Sequence, residues 1–150
     1  SFNAVVDGGD IVYRSSRDIG FAVDTPNGLL VAVVRDVANL SLEELGSEIV
    51  RLATAGRDRK ITAAEMRGAT FTISNIGAVG GRFGTPIIPF GTSAILSIGR
   101  ADERPVVRDG ELMVGREFPL SLSYDHRIID GAQGRGFLAS VIDSMEAAGS

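Results

Sequence analysis

The sequence predicts a mixed α/β (α+β) domain with a mixed β-sheet and flanking helices. Short strand-like runs dominate the chain. Two longer segments repeat apolar residues at helical spacing, the first behind a strong cap. The strands include both continuous apolar runs and an alternating one, as expected of a sheet with differently covered strands.

The elements follow in order. Ser1–Val6 opens without a cap or polar leader, as if in mid-sheet. Asp7-Gly8-Gly9-Asp10 reads as a turn and Ile11–Arg14 as a strand. Gly20–Asp24 is a second short strand. Thr25-Pro26-Asn27-Gly28 is a turn in which Pro26 fixes one angle and Asn-Gly supplies positive φ. Leu29–Val34 is six apolar residues in a row, predicting a strand covered on both faces. Ser41-Leu42-Glu43-Glu44 is a capping box, and Leu42, Leu45, Ile49 and Leu52 follow at helical spacing to a stop at Gly56. Arg57–Lys60 is a charged connector. Thr62–Glu65 repeats the cap for a short helix ending at Gly68. Ala69–Ser74 is a strand, Thr85–Phe90 an irregular extended segment, and Ser93–Ile98 a buried strand. Val106–Val114 turns at Asp109-Gly110. Phe118–Tyr124 alternates apolar and hydroxyl residues, predicting a half-buried strand. Gln133–Ala148 is the last helix, with Phe137, Leu138, Val141, Ile142 and Met145 on its apolar face.

Composition narrows the function. The chain has 150 residues, the size of one domain, and a net charge of −4, against the basic footprint of a nucleic-acid binder. It contains no cysteine, which removes disulfides, thiolate metal sites and cysteine nucleophiles. No apolar run approaches the roughly 20 residues of a membrane span. The expected partners therefore include neither nucleic acid nor membrane, and the expected compartment is the cytosol or a mitochondrial matrix. Of 15 basic residues only Lys60 is lysine, and the arginines are scattered.

Two segments invite chemistry. Asn75–Gly84 is ten residues with four glycines, but fits neither GxGxxG nor a P-loop. Its glycines suit tight turns and close approach to a neighbour or ligand. Asp125-His126-Arg127-Ile128-Ile129-Asp130-Gly131 follows a strand end and holds the only histidine. A free imidazole can accept a proton near neutral pH. A surface histidine balanced by an aspartate fits the spacing too. One His and one Asp do not make a metal site. Ser74, Ser121 and Ser123 lie on strands, and no GxSxG elbow exists.

SLSYDHRIIDG (121–131) strongly resembles the active-site segment of the dihydrolipoamide acyltransferases, the core components of 2-oxo acid dehydrogenase complexes. DIGFAVDTPNGLLVAVVRD (18–36), RKITAAEMRGATFTISNIGAVGGRFGTPII (59–88) and SAILSIGR (93–100) fall in the family's order, so the resemblance covers nearly the whole chain. It implies a chloramphenicol acetyltransferase-like, two-layer fold, and a homotrimer within a core of 24 or 60 subunits. The implied active site is a channel between subunits, entered by coenzyme A at one end and the lipoyl arm of a separate domain at the other. His126 would be the general base on the thiol, Ser74 the oxyanion donor, and Asp130 an organiser of the histidine loop. Ser74 and His126 would come from different subunits. Further implied partners are the lipoyl domain, the 2-oxo acid decarboxylase and dihydrolipoamide dehydrogenase. Serine rather than threonine at 74 leans toward acetyl or branched-chain acyl groups over succinyl.

Residues 1–150 would then be the C-terminal two-thirds of the catalytic domain, without its N-terminal part and without lipoyl or peripheral-subunit-binding domains. Phe90-Gly91-Thr92-Ser93 and Val31-Ala32-Val33-Val34 depart from the family's usual residues. The alternative readings are a non-catalytic scaffold subunit and a related small-molecule acetyltransferase.

Overall fold

A computed structural model describes residues 1–149. Its centre is a five-stranded sheet of β3 (Ile19–Thr25), β4 (Gly28–Val34), β5 (Phe71–Asn75), β6 (Ala94–Ile98) and β9 (Leu120–Tyr124), in the order β4-β3-β5-β6-β9. The pairs β3/β5 and β5/β6 are parallel, whereas β3/β4 and β6/β9 are antiparallel. Two hairpins, β1 (Ala4–Asp7) with β2 (Asp10–Tyr13) and β7 (Asp102–Arg108) with β8 (Glu111–Glu117), stand outside the sheet. The helices are α1 (Leu42–Arg57) and α2 (Gly131–Gly149).

Both helices cover the same face. Phe21, Ile73, Leu96 and Leu122 are in cross-strand register, so they point the same way. Phe21 packs into the α1 cluster of Val23, Ala32, Val34 and Leu52. Ile73, Leu96 and Leu122 pack into the α2 cluster with Ile129, Phe137, Leu138 and Val141. This is the expected two-layer arrangement. The opposite face carries a different chemistry: Thr72, Ser74, Ser97, Ser121 and Ser123 alternate with the core residues.

Several local expectations hold. Ser41 Oγ accepts from Glu44 N and the Glu44 carboxylate from Ser41 N, closing the capping box. Asp109 (φ 53) and Gly110 (φ 82) both take positive φ, as a two-residue hairpin turn requires, and the flanking strands run longer than foreseen. Others need correction. The apolar run 29–34 forms an edge strand; Leu29 is 71% exposed, and only Ala32–Val34 are buried. Leu42 is 87% exposed at the first turn of α1, and Ile49 lies at the margin, leaving Leu45 and Leu52 to face the sheet. Gly56 does not stop the helix. It lies inside the last turn, where a Cβ would come within 3.2 Å of Leu30, and the chain reverses at Arg59 (φ 60). In the Thr25–Gly28 turn Gly28 takes positive φ and Asn27 does not. The cap at Thr62 starts only a single 3₁₀ turn, Ala64–Met66. Helix α2 begins at Gly131, two residues early, and Ile142 and Met145 remain about half exposed.

The glycine-rich loop turns on its own chain. Gly99, just past β6, meets the Arg82 carbonyl so closely that a Cβ would sit 1.9 Å from its oxygen. Arg100 N donates to Gly81 O, and Ile76 N to Ile98 O. Part of the glycine content is thus explained by backbone meeting backbone.

Asp18 ties the sheet together. It is 8% exposed. Its carboxylate accepts from Asp36 N, Ser16 Oγ and Arg35, while its backbone exchanges hydrogen bonds with Thr70. Arg35 also donates to the carbonyls of Ala64, Arg67 and Gly68. Burial alone would raise the Asp18 pKa; the hydrogen bonds from Asp36, Ser16 and Arg35 outweigh it and hold the carboxyl below its ordinary range.

Two outcomes follow from this packing. Gly99→Ala forces the loop away from β6, lowering stability by about 1–3 kcal/mol or more in denaturant titration. Because the folded-state pKa of Asp18 is depressed, its contribution is complete above the unfolded value and fades as pH falls through the folded one. Asp18→Asn is therefore less stable by about 1–3 kcal/mol at neutral pH, and its melting temperature declines less steeply than wild type below about pH 4.

Candidate active site

The segment after β9 is pinned at both ends. Asp125 N donates to Ser93 O, and the Asp125 carbonyl accepts from Ile128 N and Ile129 N, forming one tight turn. Ile129 is 1% exposed and anchors the turn in the core. Asp130 then caps α2. Its Oδ1 accepts from Gln133 N at 2.8 Å, and its own N–H donates to Gln133 Oε1 at 3.0 Å. Its carbonyl accepts from Gly134 N. Between anchor and strand end, His126 and Arg127 project outward and are exposed.

The charges beside His126 are already engaged. Arg127 folds back on Asp125, with its Nη2 2.6 Å from Oδ2 and its Nε 2.9 Å from Oδ1. This pairing holds the Asp125 carboxyl below its usual range and pushes the Arg127 guanidinium up. The His126 ring lies 5.7 Å from that of Tyr124, centroid to centroid. No described residue hydrogen-bonds to the imidazole, and Asp130 bonds to Gln133 rather than to it. His126 lines a cavity of about 680 Å³ together with Tyr124, Arg14 and Val5 from the first hairpin region, and the segment Ile88–Thr92.

Ser74 sits elsewhere. It is half-buried near the end of β5, in register with Ser97 and, across β6, with Ser121. Because β9 runs antiparallel to β6, His126 emerges at the opposite end of the sheet. Two strand spacings separate β5 from β9, about 10 Å, and the three residues from Ser121 to Tyr124 add about 10 Å along the strand. One chain therefore brings His126 and Asp130 into one loop but does not bring Ser74 to them.

Sequence reasoning missed the Asp125–Arg127 pair, the Ile129 anchor and Arg14. The first was available from adjacency within the DHR triplet. Arg14 had no local signal, because the fold delivers it from a distant hairpin.

Comparison with known proteins completes the site's context. The family model for 2-oxoacid dehydrogenases acyltransferase (catalytic domain) matches residues 1–149. The dihydrolipoyllysine-residue acetyltransferase component of the pyruvate dehydrogenase complex of Staphylococcus aureus is 49% identical over 135 residues. The match covers 90% of this chain and 31% of that protein, so the chain spans about a third of its curated relative. A crystallographic and enzymatic study of Azotobacter vinelandii dihydrolipoamide acetyltransferase concerns the role of a serine, a histidine and an asparagine in its catalytic mechanism. That structure superposes with a TM-score of 0.90 at 43% identity, over 95% of this chain and 59% of the other. The cubic core of a pyruvate dehydrogenase multienzyme complex superposes with a TM-score of 0.87 at 43% identity, over 92% and 58%. The fold is the chloramphenicol acetyltransferase-like one that the motifs implied. On the match over residues 1–149 and these likenesses, the chain belongs to the acyltransferase catalytic-domain family of the 2-oxoacid dehydrogenases.

Proposed function

We propose that this chain transfers an acetyl group between a dihydrolipoyl arm and coenzyme A, with His126, Ser74 and Asp130 as the working residues. The observation that carries this is a coincidence of intervals on a common fold. His126 follows Ser74 by 52 residues and precedes Asp130 by four. The serine, histidine and asparagine named for the Azotobacter vinelandii enzyme are separated by the same two intervals. Asp130 stands where that enzyme has asparagine. Both side chains present an oxygen that can accept from the backbone N–H two or three positions on, so either can cap α2 and set the histidine loop.

The chemistry needs a base and an oxyanion donor. A thiol of pKa about 8.5 is mostly protonated at neutral pH. His126 takes the proton from the coenzyme A thiol as the sulfur attacks the acetyl thioester. The carbonyl oxygen gains negative charge, and the Ser74 hydroxyl donates to it. Collapse releases the dihydrolipoyl sulfur, which takes the proton back from His126. Bonds and protons balance, and one thioester replaces another.

The separation of Ser74 from His126 supports a site shared between copies of the chain, with Ser74 of one copy facing His126 of another. This reading agrees with a trimer inside a larger core; a relative with 43% identity forms a cubic core. The acetyl group is favoured because the relatives above are acetyltransferases. A branched-chain preference draws no support from them. The lipoyl domain and the other enzymes of a pyruvate dehydrogenase complex are the partners this function requires.

His126→Ala in the full-length, assembled protein abolishes transfer between acetyl-CoA and dihydrolipoamide while leaving the melting temperature unchanged. Near-normal turnover would refute the base assignment. Ser74→Ala lowers kcat about 100-fold with little change in KM for coenzyme A, the weight of one oxyanion donor. Co-assembling His126→Ala with Ser74→Ala copies restores activity, because some interfaces then pair an intact serine with an intact histidine. Mixed assemblies as inactive as either parent would place both groups in one chain.

A further inference from the structure

We propose that Ser97 is a positioning residue for acyl transfer: its hydroxyl, unpartnered in the free chain, turns to donate its proton to Ser74 Oγ when substrate is bound, so that the Ser74 proton is directed at the developing oxyanion. This rests on the reading of Ser74 as the oxyanion donor.

The Ser97 side chain is an anomaly in its surroundings. It lies on the interior strand β6 and is 2% exposed, yet Ser97 Oγ has no hydrogen-bond partner. Leaving a buried hydroxyl unmet is unfavourable by about 1–3 kcal/mol, and an alanine would fill nearly the same space at no such cost. On its own face Ser97 is flanked in register by Ser74 on β5 and Ser121 on β9. Gly84 passes above, where a Cβ would stand 4.0 Å from Ser97 Oγ, so the loop from Ser74's own strand closes over it.

Its position supplies a partner. Ser74 and Ser97 are paired in register on adjacent parallel strands, and paired residues point to the same face. The strands are about 4.8 Å apart, a span that two hydroxyls turned toward each other can close to a hydrogen bond. No described residue hydrogen-bonds to Ser74 Oγ either, so nothing else fixes its rotor. A free rotor leaves the Ser74 proton pointing away from substrate for part of the time. A donor at its back commits Ser74 Oγ as acceptor on one side and turns its proton to the other, where an oxyanion would form. Ser97 makes no contact with substrate in this scheme; it acts through Ser74.

Steady-state kinetics on the full-length, assembled protein with acetyl-CoA and dihydrolipoamide test this. Ser97→Ala lowers kcat about three- to tenfold, the weight of one hydrogen bond, with KM for both substrates unchanged. Its melting temperature stays equal to or above wild type, because an orphaned hydroxyl has been removed. A purely structural role would lower the melting temperature and leave kcat intact, and that result overturns the proposal. In a Ser74→Ala background, Ser97→Ala produces no further loss; an undiminished loss there means that Ser97 acts elsewhere, and also overturns it. Ser121→Ala, on the other flank of Ser97, separates the two possible recipients: coupling of Ser97 to Ser121 instead of Ser74 refutes the assignment. Should Ser74→Ala itself turn over normally, the oxyanion reading fails and takes this proposal with it. A large Ser74→Ala effect beside an unaffected Ser97→Ala sinks only the latter.

Discussion

Antiparallel pairing of β9 with β6 governs where chemistry can occur in this molecule. It sends the chain back along the sheet, so that the loop after Tyr124 emerges beside the beginning of β6, where Asp125 bonds to Ser93. Ser74 lies toward the other end of a parallel neighbour. Register on a sheet cannot slip by a fraction: a one-residue shift would turn Leu122 outward and Ser121 into the α2 core. The distance between the two groups is therefore as fixed as the core itself. The proposed reaction, which uses both, therefore calls on Ser74 of one copy and His126 of another.

The histidine loop illustrates how a short exposed segment can be held without burying its imidazole. Ile129 drops into the core, and full burial of such a side chain is worth about 1.5–3 kcal/mol. The Asp130–Gln133 capping box adds about 1 kcal/mol at the start of α2. Arg127 is tied to Asp125, so the charged residue on either side of His126 is neutralised by the other rather than by the imidazole. What is left unconstrained is the ring of His126, facing a cavity.

The parts of this structure that were legible in the sequence are those decided within a few residues. The capping box at Ser41, the Asp109-Gly110 turn and the alternation in 118–124 are local bargains between side chain and backbone, and each appears where expected. Prediction failed where a distant element decides. Leu29 and Leu42 are apolar but exposed because no other described part of the chain covers them. Gly56 resembles a helix stop, but its reason is Leu30, 26 residues away. The site divides the same way. The DHR segment and its aspartate stand out by composition alone, whereas Arg14 and Ser97 acquire meaning only from pairing and packing.

The two faces of the sheet have been put to different uses. The helix-covered face is apolar and supplies the stability, with Leu52, Leu96 and Ile129 fully enclosed or nearly so. The other face carries a row of hydroxyls on three neighbouring strands, and two of them, Thr72 and Ser97, are buried without partners. Stability alone would replace both with apolar side chains of like shape. Strands β5 and β6 are interior strands, each hydrogen-bonded to a neighbour on both sides. Polar groups kept there at an energetic cost are held more exactly in place than any loop could hold them, which suits groups whose task depends on direction. The unfavourable hydroxyls and the rigid strands beneath them thus form a single arrangement, in which stability on one face supports a destabilising but oriented surface on the other.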